Sequence, residues 1–357
     1  MSNTSIRHIT TLSVLREFLR QQEMQRVEAF TFQPGGALNA RYPGGKLQAF
    51  VLDAMPLACR IHTSTRTEGD VRTVTCTMTY RSGVRMLDAW RCGSMSGLTR
   101  EELLALPVAE NIAQSIRNKR REPMDRLYLL YSYVAALVTY RKDSVSDQHF
   151  HQLASGAWAL VNKEANCQGF ADLLYLLGSM LGFKMGMQGG MSRTGGHMWN
   201  TIELDGCRYA MDASVAALDR HSSQNGRLDY ASFLMGKREA LENGLTWKPE
   251  EESLPLSASL AQQHDFYCNT GYSASSPEQA ARLAWKRRFE GERLTQIRIR
   301  AKVKFGIEDV KAEVAAMAEQ PAVSRDIQRL LGGSYHVNFN GQFLGKTAYV
   351  TVEWPEK

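Results

Sequence analysis

Asn166-Cys167-Gln168-Gly169-Phe170-Ala171-Asp172, then Gly196-His197-Met198-Trp199-Asn200, then Asp212-Ala213-Ser214, are the segments that decide how this chain folds. They supply a thiol, an imidazole and a carboxylate in that order. A cysteine nucleophile needs a base to become a thiolate, and the base needs an acceptor that fixes its tautomer. Alone, each residue has an ordinary reading: a core cysteine, a satisfied polar histidine, an aspartate capping a turn. In this order and on these element types they point to an enzyme.

The neighbours of each residue add physical detail. Phe170, Leu173, Leu174, Leu177 and Leu181 fall at helical spacing, so Cys167 is expected in the first turn of a buried helix. Free amides and the positive dipole end there favour the thiolate. Gly169 allows a second backbone to approach that turn, and Gly182 suits a C-cap. From His197 the composition is that of a strand, and Leu204-Asp205-Gly206-Cys207 reads as a hairpin turn. The returning strand, Arg208 to Asp212, then brings Asp212 beside the strand carrying His197. The glycine-rich stretch Met187 to Gly196 reads as a tight connection or a flap, the connection being favoured.

Cys167-Gln168-Gly169-Phe170-Ala171, His197-Met198-Trp199-Asn200 and Asp212-Ala213-Ser214 resemble the signature of the transglutaminase-like superfamily. The resemblance extends over roughly residues 105 to 245. It takes in the periodic Met124 to Tyr140 with its Val138-Thr139-Tyr140 end, and Ser155-Gly156-Ala157-Trp158-Ala159-Leu160-Val161-Asn162. It implies an α+β fold with a papain-like core, in which the cysteine helix packs on an antiparallel sheet bearing the histidine and aspartate. It also implies Cys167 as nucleophile, His197 as general base and then acid, and Asp212 as the orienting carboxylate. The Cys167 amide would be one oxyanion donor; a second is not readable. Trp199, Gln168 and Trp158 are the candidate substrate-binding residues, and Trp199 is expected to wall the imidazole from water.

The chain has 357 residues, 43% of them apolar and 22% charged, which is ordinary for a globular protein with two or three domains. Its formal charge of +6 leans toward acidic partners. Basic residues cluster at Arg117 to Arg121 and Lys286 to Arg288, and Arg298, Arg300, Lys302 and Lys304 alternate as though along one solvated sheet face. No nucleic-acid motif accompanies them, so a peptide or protein substrate is expected and nucleic acid is not. The six cysteines are scattered without a CxxC pair, which argues against a zinc site and for reduced thiols. No cofactor or metal is expected. Neither a signal-peptide run nor a membrane span is read, so the chain is expected to be cytoplasmic as written, with export open if a leader was removed. Oligomeric state is not legible.

Four parts are expected: an N-terminal α/β flank at 1–100, the catalytic core at 101–250, a linker at 251–275, and a C-terminal α/β flank at 276–357. The first flank reads as a helix within 10–33, a strand Val27 to Phe32, a glycine-rich stretch Gln33 to Gly45, a helix Lys46 to Ala58, and strands near Arg60 to Thr65 and Val71 to Tyr80. The last reads as a helix from Pro277, a strand Leu294 to Val303, a helix Ile307 to Ala318, and strands Tyr335 to Asn340 and Thr347 to Glu353 with Asn340-Gly341 as their turn. The shared grammar suggests a degenerate repeat. Three functions stay open at this stage. An enzyme passing an acyl group from Cys167 to water, a peptidase or amidase, is favoured; an amine acceptor would make it a transamidase. A non-catalytic scaffold on the same fold, or a binder of anionic polymers, are the others.

Overall fold

The computed structural model describes residues 6–43, 45–142, 149–222, 230–247, 255–344 and 347–354. Two compact units emerge, one from residues 1–228 and 235–258, the other from 229–234 and 259–357. The first holds both the expected N-terminal flank and the core.

At the centre of the first unit lies the helix Cys167–Met180. Every residue from Gly169 to Met180 is buried. A helix that is apolar nearly all round has no solvent face and must be surrounded. Helices Ser82–Cys92, Arg100–Lys119, Pro123–Leu137 and Gly156–Asn162 pack around it, together with strands Lys184–Ser192 and Gly195–Leu204. These two strands and Cys207–Met211 form an antiparallel meander. Its second turn is the expected one: Asp205 (φ 51°) and Gly206 (φ 73°) are both left-handed, as a two-residue hairpin of this twist requires.

Met187 to Gly196 is not a flap; it holds a tight connection between two strands. It is strand through Ser192, with the turn at Arg193-Thr194. One glycine of the stretch, Gly190, serves close approach, as does Gly186 just before it. A Cβ on Gly190 would come within 2.3 Å of the Thr246 carbonyl oxygen and 2.6 Å of the Trp199 ring, and one on Gly186 within 2.6 Å of Thr201 Oγ1. Tertiary crowding demanded the missing side chains at these two positions, which glycine composition alone did not show.

A mixed sheet precedes this core in the first unit, in the order Arg7–Ile9, Ala29–Pro34, Val71–Tyr80, Ala58–Glu68, with the first pair parallel and the others antiparallel. Helix Leu12–Met24, capped by the Thr11 hydroxyl, makes the parallel crossover and buries Leu15, Phe18 and Leu19. The stretch Gln33 to Gly45 also contains a short helix, Gly36–Arg41.

Within the second unit, the strands Ser273–Ala274, Leu294–Arg300, Thr347–Glu353 and Asn338–Leu344 are ordered and directed in the same way. The crossover helix, Pro277–Phe289, has 13 residues, as does Leu12–Met24, and the next strand follows after the same gap. His8 pairs with Gln33, and Ser273 pairs with Arg298 at the corresponding position. The two sheets thus share topology and register. Their cores differ: aromatic rings of Phe18, Phe30 and Phe32 meet in one, and Trp285, Tyr335 and Trp354 in the other.

Three local expectations are corrected here. Asn340-Gly341 lies inside the strand Asn338–Leu344 and is not the turn between the last two strands. A helix Pro321–Leu331 was not foreseen. The basic alternation is not a solvated face either. Its strand ends at Arg300, short of Lys302 and Lys304, and Arg298 is 2% exposed and ion-paired with Asp265. Asp265 and Cys268 lie over the guanidinium and keep water from it. Of the expected linker, 251–254 lies outside the described residues, and the remainder carries a short helix, Phe266–Asn269.

Gly169 bears out the reading of close backbone approach, because a Cβ there would stand 2.2 Å from the Leu153 carbonyl oxygen. That carbonyl accepts the Asn166 N–H at 3.0 Å, so it cannot retreat cheaply. Gly169→Ala is expected to destabilise the protein by about 1–3 kcal/mol, the usual range for overpacking, as measured by the denaturant midpoint at unchanged slope.

Candidate active site

Cys167 is the first residue of its helix and is half-buried. Asn166 is the N-cap: its Oδ1 accepts from Gln168 N at 3.0 Å and Gly169 N at 3.3 Å. The loop-to-helix transition read from the sequence is therefore made by Asn166 itself, and the thiol stands at the positive end of the helix.

Five residues on, Asp172 fastens this helix to its neighbours. It is fully buried, and its Oδ2 accepts from Ser82 Oγ at 2.7 Å, Gly83 N at 2.9 Å and Gly156 N at 2.8 Å. Both glycines are required by the same contact, since a Cβ on Gly83 would lie 2.5 Å from the Asp172 carbonyl oxygen and one on Gly156 2.8 Å from Leu173 N. Asn200 fastens the sheet: its Nδ2 donates to Ala171 O at 2.8 Å and Gly186 O at 3.2 Å. Cys167 and His197 thus ride on elements locked together within a few residues of each.

His197 sits in the middle strand of the meander, opposite Gly190. Its Nε2 lies 2.6 Å from Asp212 Oδ2. A carboxylate only accepts, so Nε2 carries the proton and Nδ1 is left for the thiol. The other oxygen, Asp212 Oδ1, accepts from Ser214 N at 3.0 Å and Ser214 Oγ at 2.6 Å, while Tyr131 donates its hydroxyl to the Asp212 carbonyl at 3.1 Å. The Asp-Ala-Ser spacing is an Asx-type turn that aims one carboxylate oxygen at the imidazole. Burial alone would push His197 down. The Asp212 charge, the bond to it and the bond to Cys167 outweigh burial and push His197 up to about 10. Burial likewise favours neutral Asp212, but the imidazolium and the two Ser214 bonds hold its carboxyl below the usual range.

The ring of Trp199 lies behind the imidazole, with centroids 6.2 Å apart and planes 27° apart. At 1% exposure it is packed among Ala210, Met235, Ala240, Leu245 and Leu256, with Trp247 edge-on at 5.9 Å. It walls the histidine, and it offers no surface for the substrate contact read from the sequence. Gln168 is half-buried and accepts from Arg81 Nη1 at 3.0 Å. Trp158 lies on the helix Gly156–Asn162; among the described residues no hydrogen bond or ring contact joins it to Cys167, His197 or Asp212.

Two residues around the thiol were not singled out by sequence reasoning. Tyr140 lies close enough to Cys167 to feel its charge: its phenol is pushed up by burial first and then by the charges of Cys167 and Asp212. It reaches the site because Thr139–Tyr140 pairs in parallel with Glu164–Ala165, just ahead of the cysteine helix. The Val-Thr-Tyr ending was visible in the sequence, but its pairing was not. Arg81, which is 4% exposed, is one residue removed, donating to the side chain of Gln168. Among the described residues no group of His, Cys, Asp and Glu side chains forms a metal-binding cluster, and no helix is long and apolar enough to cross a membrane.

Residues 110–213, which include Cys167, His197 and Asp212, match the family model described as the transglutaminase-like superfamily. No curated protein matches the chain. Among solved structures, one described as the crystal structure of a TGase is similar at 14% identity over 52% of this chain and 51% of that one, with a TM-score of 0.30. Legionella pneumophila LapG is similar at 15% identity over 37% of this chain and 72% of its own, with a TM-score of 0.25. The chain thus spans about half the length of the first of these.

Two measurements test the site's construction. Asp172→Ala strands three donors, each costing about 1–3 kcal/mol when buried without a partner, so a loss of several kcal/mol is expected in equilibrium unfolding. The His197–Asp212 pair predicts a pH window. His197 is raised above its unfolded value of about 6.5, so its stabilisation is complete below that pH and drains away as pH rises through about 10. Asp212 is held low, so its share is present above about 3.9 and is lost as pH falls through its depressed folded value. The stability gap between wild type and His197→Gln is therefore expected to be widest between about pH 4 and 6.5 and to close toward pH 10, read from denaturant titrations across that range.

Proposed function

We propose, for a chain whose residues 110–213 belong to the transglutaminase-like superfamily, that it is a cysteine-dependent acyl-transfer enzyme that hydrolyses a peptide or amide bond. The observation that carries this reading is the imidazole held at 2.6 Å by Asp212 through Nε2, with its other nitrogen left for a cysteine at a helix N-terminus. An imidazolium with a raised pKa is the counter-charge a thiolate needs at neutral pH.

The chemistry follows from these positions. The Cys167 thiolate attacks the carbonyl carbon, a C–S bond forms, and the electron pair of the C=O moves onto oxygen. The Cys167 N–H, a first-turn amide with no carbonyl four residues behind it, donates to that oxygen. On collapse the C–N bond breaks and His197 gives its proton to the departing amine. Neutral His197 then takes a proton from water as it attacks the thioester, and returns it to the sulfur as the acid leaves. Asp212 keeps the ring oriented throughout without itself becoming protonated. Tyr140 brings a phenol near the sulfur.

Iodoacetamide labelling of Cys167, followed by peptide mass spectrometry as pH is varied, tests this reading without a known substrate. Wild type is expected to label rapidly at pH 6–7, below the ordinary thiol pKa of about 8.5, and His197→Ala to lose at least tenfold in that range. Equal labelling in both would overturn the assignment and favour a non-catalytic scaffold. Once a substrate is found, release of free acid or of an amine adduct separates hydrolysis from transamidation.

A further inference from the structure

An acyl oxygen that takes up charge during attack is best served by more than one fixed donor, and the Cys167 N–H supplies one. Three side chains close to the thiol in sequence carry N–H donors for a second: Trp158, Asn166 and Gln168. Trp158 Nε1 and Asn166 Nδ2 are each buried without a partner. A carbonyl oxygen is about as large as a water, so an atom that water cannot touch is closed to a substrate too. Gln168 differs. It is half-buried, and among the described residues its Nε2 has no hydrogen-bond partner, yet it is not one of the atoms shut off from solvent. Of the three, only this donor is both unspent and reachable.

The direction of the Gln168 amide is fixed by its partner. A guanidinium only donates, so the atom 3.0 Å from Arg81 Nη1 is Oε1, and the amide cannot be turned round. Nε2, with two N–H groups, is therefore the free end. Arg81 has little freedom of its own: its Nε donates to Pro56 O at 2.8 Å and its backbone N–H to Leu57 O at 3.0 Å. Leu57 N donates in turn to Glu23 Oε1 at 2.7 Å. The Gln168 backbone is held as well, since its N–H donates to Asn166 Oδ1 at 3.0 Å. A chain of bonds from the N-terminal layer thus ends on the amide of the residue next to the nucleophile. Bonding Oε1 to a guanidinium also polarises the amide and strengthens its N–H groups as donors.

We infer that Gln168 Nε2 is the second donor to the oxygen on which charge develops when Cys167 attacks, and that Arg81 positions it. This rests on the reading of Cys167 as nucleophile. Cα atoms of consecutive residues stand about 3.8 Å apart, so a glutamine side chain beginning beside the cysteine reaches the space in front of the same helical turn. One turn then supplies the sulfur, the Cys167 N–H and the Gln168 amide. Gln168 is a catalytic residue in this scheme, because its N–H meets the reacting oxygen. Arg81 meets only Gln168 and is a positioning residue: by occupying Oε1 it leaves the amide nothing but donors to present.

Two reactions of Cys167 separate this role from any effect on the thiol itself. p-Nitrophenyl acetate acylates the sulfur: a C–S bond forms, charge collects on the carbonyl oxygen, and p-nitrophenolate leaves as the C–O bond breaks. Iodoacetamide alkylates the sulfur by displacing iodide at a saturated carbon, where no such oxygen takes up charge. The readout is the ratio of acylation to alkylation rate, each taken as the part lost in Cys167→Ala. It is compared in full-length wild type, Gln168→Ala, Gln168→Met, Arg81→Met, Arg81→Lys, Tyr140→Phe and His197→Ala, with folding checked by the denaturant midpoint. The ratio is expected to fall about tenfold or more in both Gln168 variants, in line with removal of one oxyanion donor. It should fall less in Arg81→Met and recover in Arg81→Lys, which keeps a donor for Oε1. A wild-type ratio in the Gln168 variants would overturn the inference, as would acylation and alkylation slowing in step, or a loss confined to Tyr140→Phe. Wild type that alkylates in a His197-dependent way but releases no Cys167-dependent p-nitrophenolate would overturn it too, and leave the nucleophile standing. A wild-type ratio in Arg81→Met would remove Arg81 from the scheme; if that variant does not fold, a ratio in Arg81→Lys as low as in Gln168→Ala would do the same. His197→Ala alkylating like wild type would instead sink the nucleophile reading itself.

Discussion

A single carboxylate oxygen, Asp172 Oδ2, receives donors from the starts of two other helices, Ser82–Cys92 and Gly156–Asn162, and sits on the helix that begins with Cys167. Helix N-termini expose unsatisfied amides, and a buried carboxylate needs several donors to be tolerated. Each requirement answers the other. The cost of burying Asp172 is offset only if both helices arrive in register, so the contact specifies geometry more than it adds net stability. Ser155 extends the network, donating to Ser82 Oγ at 2.9 Å. Arg81 then lies where it does because it immediately precedes Ser82.

From that anchor the site inherits its rigidity. The cysteine helix is fixed by Asp172, and the histidine strand is fixed to the same helix by Asn200. Asp212 is fixed by Ser214 and Tyr131. The groups that would react therefore sit on regular elements whose neighbours are hydrogen-bonded, the arrangement that lets a site hold geometry to fractions of an ångström. Trp199 completes the arrangement by removing water from one face of the imidazole.

The shared topology of the two mixed sheets shows how loosely a fold constrains its charges. At corresponding positions one sheet carries Gln33, bonded to Thr73 Oγ1 at 3.3 Å, and the other carries Arg298, ion-paired with Asp265. One strand order thus holds a half-buried amide on a hydroxyl and a buried guanidinium on a carboxylate. Sequence patterning read the order of helices and strands in both, because amphipathic spacing and caps such as Thr11 and Ser276-Pro277 are local signals. It misread Arg298 as solvated because alternation along a strand does not say which face another element covers.

By itself, the sequence determined the α+β class, the cysteine at a helix start, the hairpin that returns Asp212 toward His197, and the close approach at Gly169. Each of these is encoded within a few residues: an N-cap, a left-handed Asp-Gly turn, a missing Cβ. Only the tertiary structure decided that Tyr140 comes near the thiol and Arg81 binds Gln168, that Asn200 and Asp172 tie the elements together, and that Gly190 makes room for Trp199 and Thr246. Most of these contacts join residues tens of positions apart in the chain, as Asp172 joins Ser82 and Asn200 joins Ala171. Their meeting depends on which faces pack against which, and no local periodicity carries that information.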